Sequence, residues 1–169
     1  MSSPPPFNPD RGRDENRLFT ISGVTPEVKI QLSEAIQKLG QRGYLVECPF
    51  DAPPPKNITH CIVGDRPRSV KSLSALVGGM WIVTADYILD SLKSGFWRDE
   101  ERHGCLRCLP KPLYKRDVVL RIPQEDVYRR MCEVVEYGEG RVVDHGDSTM
   151  LILSSGEDLL DFCQRHIEG

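Results

Sequence analysis

Long apolar runs are missing from this sequence of 169 residues. The longest, such as Met80–Val83 and Met150–Leu153, are strand-sized, far short of the ~20 apolar residues of a membrane-spanning helix. A cationic excess is missing too. Lys and Arg number 22 against 25 Asp and Glu, a net charge of -3. That excludes a broadly basic nucleic-acid coat, which needs clear positive charge on some face, but leaves room for a local basic pocket. The amino-terminal stretch MSSPPPFNPDRGR lacks an apolar signal core, so secretion is not expected. The 6 cysteines then read as thiols in a reducing compartment, and the protein as soluble and intracellular.

Catalytic signatures are absent as well. There is no GxSxG elbow, no GxxxxGK[ST] loop, no HExxH pair and no GxGxxG after a strand. An enzyme is not expected, nor a cofactor. His103 and the Cys105–Cys108 pair invite a metal reading, but structural zinc needs four ligands and a second pair is lacking. Cys48, Cys61, Cys132 and Cys163 stand alone, with Cys61 and Cys163 on apolar faces, so no metal site is expected.

What is present is an alternation of strand and helix signals. Residues 1–16, rich in Pro, Ser, Arg and Asp, read as a disordered tail. Leu18–Ser22 alternates apolar and polar side chains and stops at Gly23, a strand and a turn. Thr25-Pro26-Glu27 opens a helix whose apolar face is Val28, Leu32, Ala35, Ile36 and Leu39, ended by Gly40. Strands follow at Tyr44–Glu47 and Thr59–Val63. A helix capped by Ser69 runs to Val77, with Val70, Leu73, Leu76 and Val77 inward. Trp81–Val83 is a buried strand, and Thr84 caps a third helix that ends at Gly95. Strands alternating with helices predict an α/β fold with a mainly parallel central sheet.

The pattern partly repeats. Val118–Ile122 reads as a strand, and Val127, Met131, Val134 and Val135 form a helical face before Gly138-x-Gly140. Strands at Arg141–Val143 and Thr149–Leu153 precede a last helix, Glu157–Ile167, with Leu160, Cys163 and Ile167 inward. The expected organisation is a tail (1–16), a first repeat (17–99), a linker (100–117) and a shortened second repeat (118–169).

Several short motifs, in order and spacing, carry a family resemblance. They are Ser22-Gly23, Gly40-x-x-Gly43, Thr59-His60, Arg68-Ser69-x-Lys71, Gly78-Gly79-x-Trp81-Ile82-Val83-Thr84, Tyr87-Ile88-x-x-Ser91 and Gly95-x-Trp97. Over Leu18 to Arg98 the sequence resembles a BRCT domain, and the two repeats resemble the tandem BRCT modules of DNA-damage-response proteins. The resemblance implies a four-stranded, mainly parallel sheet flanked by helices, followed by an abbreviated second unit. Tyr87 departs from the pattern, standing where the family carries a core tryptophan.

The resemblance also implies a site. Ser22 and the Gly23 N–H would hold a phosphate, Lys71 would supply the countercharge, and Arg68 would contact the bound peptide. Ser69 either adds a hydroxyl or only caps its helix. A phosphoryl group brings about -1.5 to -2 charge and three acceptors, so convergent donors around Gly23, where no side chain intervenes, suit it. Ser22 and Lys71 are both expected at the surface. The function implied is a nuclear, non-enzymatic adaptor that binds a phosphorylated Ser/Thr motif of a chromatin or repair protein, as a monomer, without membrane or direct DNA contact. The alternatives are a phosphate-independent scaffold and recognition of a DNA 5′-phosphate end.

Overall fold

A computed structural model describes residues 16–49, 51–146 and 150–168. The first unit runs β1 (Arg17–Ser22), α1 (Pro26–Leu39), β2 (Gly43–Leu45), β3 (His60–Val63), α2 (Val70–Val77), β4 (Trp81–Val83) and α3 (Ala85–Ser94). Its four strands are parallel in the order β2-β1-β3-β4. The start of α1 follows from its sequence: the Thr25 hydroxyl accepts from the Val28 N–H at 3.3 Å, and Pro26 stands where no N–H is needed. Gly95 ends α3 in the left-handed conformation, φ 84°.

Helices α1 and α3 share one face of this sheet over Phe19, Ile62 and Val83. Tyr87 takes the tryptophan position without loss of cover. Its ring stacks 6.3 Å from both His60 and Trp97, and its hydroxyl donates to the Arg98 carbonyl at 2.8 Å. Trp97 in turn lies so close over Gly43 that a Cβ there would overlap the indole.

The second unit comprises β5 (Asp117–Leu120), α4 (Glu125–Tyr137), β6 (Arg141–Val143), β7 (Leu151–Leu153) and α5 (Gly156–Glu168). Its parallel strands run β6-β5-β7, the order of β2-β1-β3 in the first unit. Helices α4 and α5 both cover the face that carries Val118, Leu120 and Leu153, and both pack on α2. The face with Val119, Val143 and Ile152 lies outside this core. Leu160 and Cys163 are buried as expected, joined by Leu159, whereas Ile167, also expected inward, is 39% exposed. The expected tail falls, but for Asn16, outside the described residues, as does Thr149.

Helix α2 is therefore enclosed. All eight of its residues are buried, not only the expected apolar four. One apolar cluster joins Cys61, Val63 and Ile82 of the first sheet through Leu73, Leu76 and Val77 to Val118, Val134, Leu153 and Leu160 of the second unit. Each such side chain contributes roughly 1.5–3 kcal/mol on leaving water.

A buried ionic cluster closes the amino-terminal end of the first sheet. Glu100 accepts from His60 Nε2 at 2.6 Å and from the Arg17 guanidinium at 3.2 Å, and the Thr59 hydroxyl lies 2.6 Å from His60 Nδ1. Thr59 and His60 are thus spent inside this cluster.

Candidate functional site

Parallel pairing sets the end of β1 beside the end of β3, with Ser22 opposite Val63. The chain then turns through Gly64–Arg68 and enters α2, whose first residues, Ser69 and Lys71, reach the end of β1. This is the carboxyl edge of a parallel sheet, where α/β folds bind ligands. Ser69 caps α2: its hydroxyl accepts from the Ser72 N–H at 3.0 Å, while Ser72 Oγ accepts from the Ser69 N–H at 3.0 Å. The same Ser69 Oγ lies 2.6 Å from Ser22 Oγ. Ser69 thus both caps its helix and joins the site. Gly23 is exposed beside this pair with φ +76°, a conformation that favours glycine.

Lys71 and Ser22 depart from expectation. They are buried, 4% and 5% exposed, rather than at the surface. The cover of Lys71 comes from the first unit itself, from β1 and the segment after β2. The Lys71 stem runs back under β1, and its Nζ donates to the carbonyls of Ile21 and Cys48, both at 2.7 Å, and to Thr20 Oγ1 at 3.3 Å. All three partners are neutral oxygens. Among the described residues no carboxylate lies within ion-pairing distance of Lys71, and burial pushes its pKa down. A positive charge is held under the Ser22 pocket without a counterion.

Arg68 is exposed and its guanidinium rests on Asp65 at 3.0 Å. Arg66 reaches across to Glu157 of α5 at 2.7 Å, tying the loop above the site to the second unit.

Beside Ser69, a cavity of about 240 Å³ separates α2 from α4. Leu73 and Arg68 form one wall, Val127, Arg130 and Met131 the other. The shortened second unit therefore still supplies a groove, through α4. Sequence reasoning assigned Val127 and Met131 to the core only. Their one signal is that Val127 belongs to the apolar face of α4 yet remains 37% exposed, which sequence does not register.

The CxxC segment does not assemble a metal centre. His103 Nε2 is 2.9 Å from Asp90, Cys108 Sγ is buried 3.8 Å from the Cys163 carbonyl, and burial pushes the Cys105 thiol up to about 12. Among the described residues no three His, Cys, Asp or Glu side chains gather as metal ligands.

No protein-family model matches the chain. Over 84 residues, 49% of this chain, it is 41% identical to the human SMC5-SMC6 complex localization factor protein 1 and 40% identical to the mouse protein. The aligned segment is 7% of each relative's length. Among solved structures, the BRCT5-BRCT6 domains of S. pombe Brc1 match with a TM-score of 0.50 at 17% identity, covering 85% of this chain and 78% of that one. That match extends over both units. With its four-stranded parallel sheet, its flanking helices and its second, smaller sheet in the same strand order, the chain shares the fold of that tandem BRCT structure.

Proposed function

We propose that the chain is a non-catalytic adaptor of the DNA damage response, acting in the nucleus, that binds a phosphorylated Ser/Thr motif on a chromatin or repair protein. The observation that carries this reading is the buried Lys71 ammonium, solvated by three neutral oxygens beneath the Ser22–Ser69 hydroxyl pair. Burying a charge without a counterion is costly, and a bound anion offsets that cost. The phosphate would accept from the Ser22 and Ser69 hydroxyls and the Gly23 N–H, with Lys71 supplying its field from below. The groove between α2 and α4 would take the peptide beyond the phosphate, its apolar floor of Leu73 and Met131 suiting an apolar side chain.

The role of the SMC5-SMC6 localization factor, as its name gives it, agrees with an adaptor in genome maintenance. The acidic balance of the chain disfavours the alternative of a DNA 5′-phosphate end.

The test is capture from a phosphopeptide library run beside its dephosphorylated twin, followed by calorimetry on the best sequence. Selective binding that weakens on the order of tenfold in Ser22→Ala supports the reading, since a hydrogen bond to a charged group is worth about 1.5–3 kcal/mol. Equal affinity for both peptide forms would leave the phosphate-independent scaffold in its place.

A further inference from the structure

At the opposite end of β1 from Ser22 lies a second cavity, about 380 Å³, between the first unit and the carboxyl end of α4. Four cationic side chains line it: Arg17, Lys56, Arg107 and Lys111. Two are neutralised in place, Arg17 by Glu100 at 3.2 Å and Lys111 by Glu139 at 2.9 Å. The other two have no carboxylate within ion-pairing distance among the described residues. Lys56 Nζ sits 3.5 Å above the centre of the Tyr137 ring and donates to the Tyr137 carbonyl at 2.9 Å. The Arg107 guanidinium lies 5.1 Å from the Trp81 ring centre, and its Nε donates to the Gly79 carbonyl at 3.0 Å.

Both cations are thereby fixed around the Gly78–Gly79 turn, since the Tyr137 ring also packs against Gly78, where a Cβ would come within 2.7 Å of it. Aromatic faces and carbonyls hold the two side chains in place without cancelling their charge. Among the described residues, the arrangement leaves two net positive charges on the cavity wall. A third feature is independent of charge counting. The Arg17 side chain is 8% exposed, and its Nε is buried with no hydrogen-bond partner. A buried donor of this kind is costly unless something accepts from it.

We propose that this cavity is a phosphate site, separate from the Ser22 pocket, that takes a phosphate monoester dianion. The charge matches: about -1.5 to -2 on the ligand against two uncompensated cations. The donors match as well. The guanidinium of Arg107 keeps its terminal nitrogens, and Lys56 keeps two ammonium protons beyond the one given to Tyr137. At ~3.3 Å per residue, the six-residue β1 sets the two ends about 17 Å apart, too far for one phosphate to touch both. The inference rests on none of Ser22, Gly23 or Lys71.

The test is a titration of the isotope-labelled chain with inorganic phosphate, followed by amide and indole NMR at constant ionic strength. Saturable shifts are expected at the Gly78 and Gly79 amides and the Trp81 indole. Lys56→Met and Arg107→Met are each expected to weaken the response on the order of tenfold, because each removes charge-assisted hydrogen bonds. Both positions are exposed, so the fold is retained. Ser22→Ala should leave these shifts intact, which keeps the result distinct from the fate of the Ser22 pocket. Shifts confined to Ser22 and Gly23 would overturn the proposal. So would equal shifts with acetate, which would mark the cavity as responsive to any anion rather than to phosphate.

Discussion

Gly64 stands against Gly23 so closely that a methyl group on its α-carbon would overlap the Gly23 carbonyl oxygen. The two glycines end neighbouring parallel strands, and the missing side chain at one fixes the peptide plane of the other. Gly64→Ala is therefore expected to tilt the Gly23 peptide, not merely to crowd it. Stability should fall by about 1–3 kcal/mol, the usual cost of overpacking. Phosphopeptide affinity should fall on the order of tenfold. Calorimetry on the folded variant checks the second effect, and unchanged affinity would show that binding does not depend on the Gly23–Val24 peptide, the one whose carbonyl Gly64 meets.

Lys71→Met keeps the stem and removes the ammonium from three oxygens. Those oxygens lose their buried donor, so the expected cost is about 1–3 kcal/mol of stability together with weaker phosphopeptide binding. Arg68→Ala, at an exposed pair with Asp65, is expected to change stability by less than ~1 kcal/mol. Denaturant melts of the two variants side by side decide this. Equal stabilities would mean that the Lys71 ammonium is not held as described.

Acid should loosen the protein in two stages. Burial pushes the His60 imidazole below its usual range despite Glu100. Burial also opposes the charge on Glu100, but the hydrogen bond from His60 and the Arg17 charge outweigh it and hold the carboxyl down at about 2. Both folded-state values lie below the unfolded ones, so in both cases the unfolded chain binds the proton first and stability is lost as pH falls. The first loss should begin near the unfolded histidine value of about 6.5, and the second below about 4.3. Glu100→Gln should remove the second stage when unfolding is measured against pH. An unchanged acid transition in that variant would contradict the role given to Glu100.

Chelators should leave the melting temperature unchanged. His103 is engaged by Asp90, and Cys108 is buried beneath α5, so the CxxC segment presents no ligand set. Stoichiometric zinc in the purified protein, lost together with the fold, would refute this.

The elements of the first unit were legible because each carries local punctuation. Thr25-Pro26, Ser69, and Gly95 act within one helical turn of themselves, and the structure places helix ends at each. The family motifs likewise led to Ser22, Gly23, Ser69 and Lys71 as neighbours. The burial of Lys71 was not legible, because its ammonium is covered by Ile21 and Cys48, 50 and 23 positions away in sequence. Glu100 was missed for the same kind of reason. It stands in a linker with no periodicity, and its partner Arg17 is 83 positions distant. Ile167 lies on the same face as Leu160 and Cys163 but in the last turn of α5, and periodicity does not show where along a helix the core stops.

Since Val70, Leu73, Ala75, Leu76 and Val77 of α2 belong to one core shared by the first sheet and the second unit, opening either half disturbs the packing of α2. Exposing either side means giving up apolar contacts that both halves share. Slowest hydrogen exchange thus belongs to the α2 amides, and loss of structure should be a single event for the whole chain rather than one event per sheet. The cap of that same helix is Ser69, so whatever binds at the Ser22–Ser69 pair grips an element that both halves pack against.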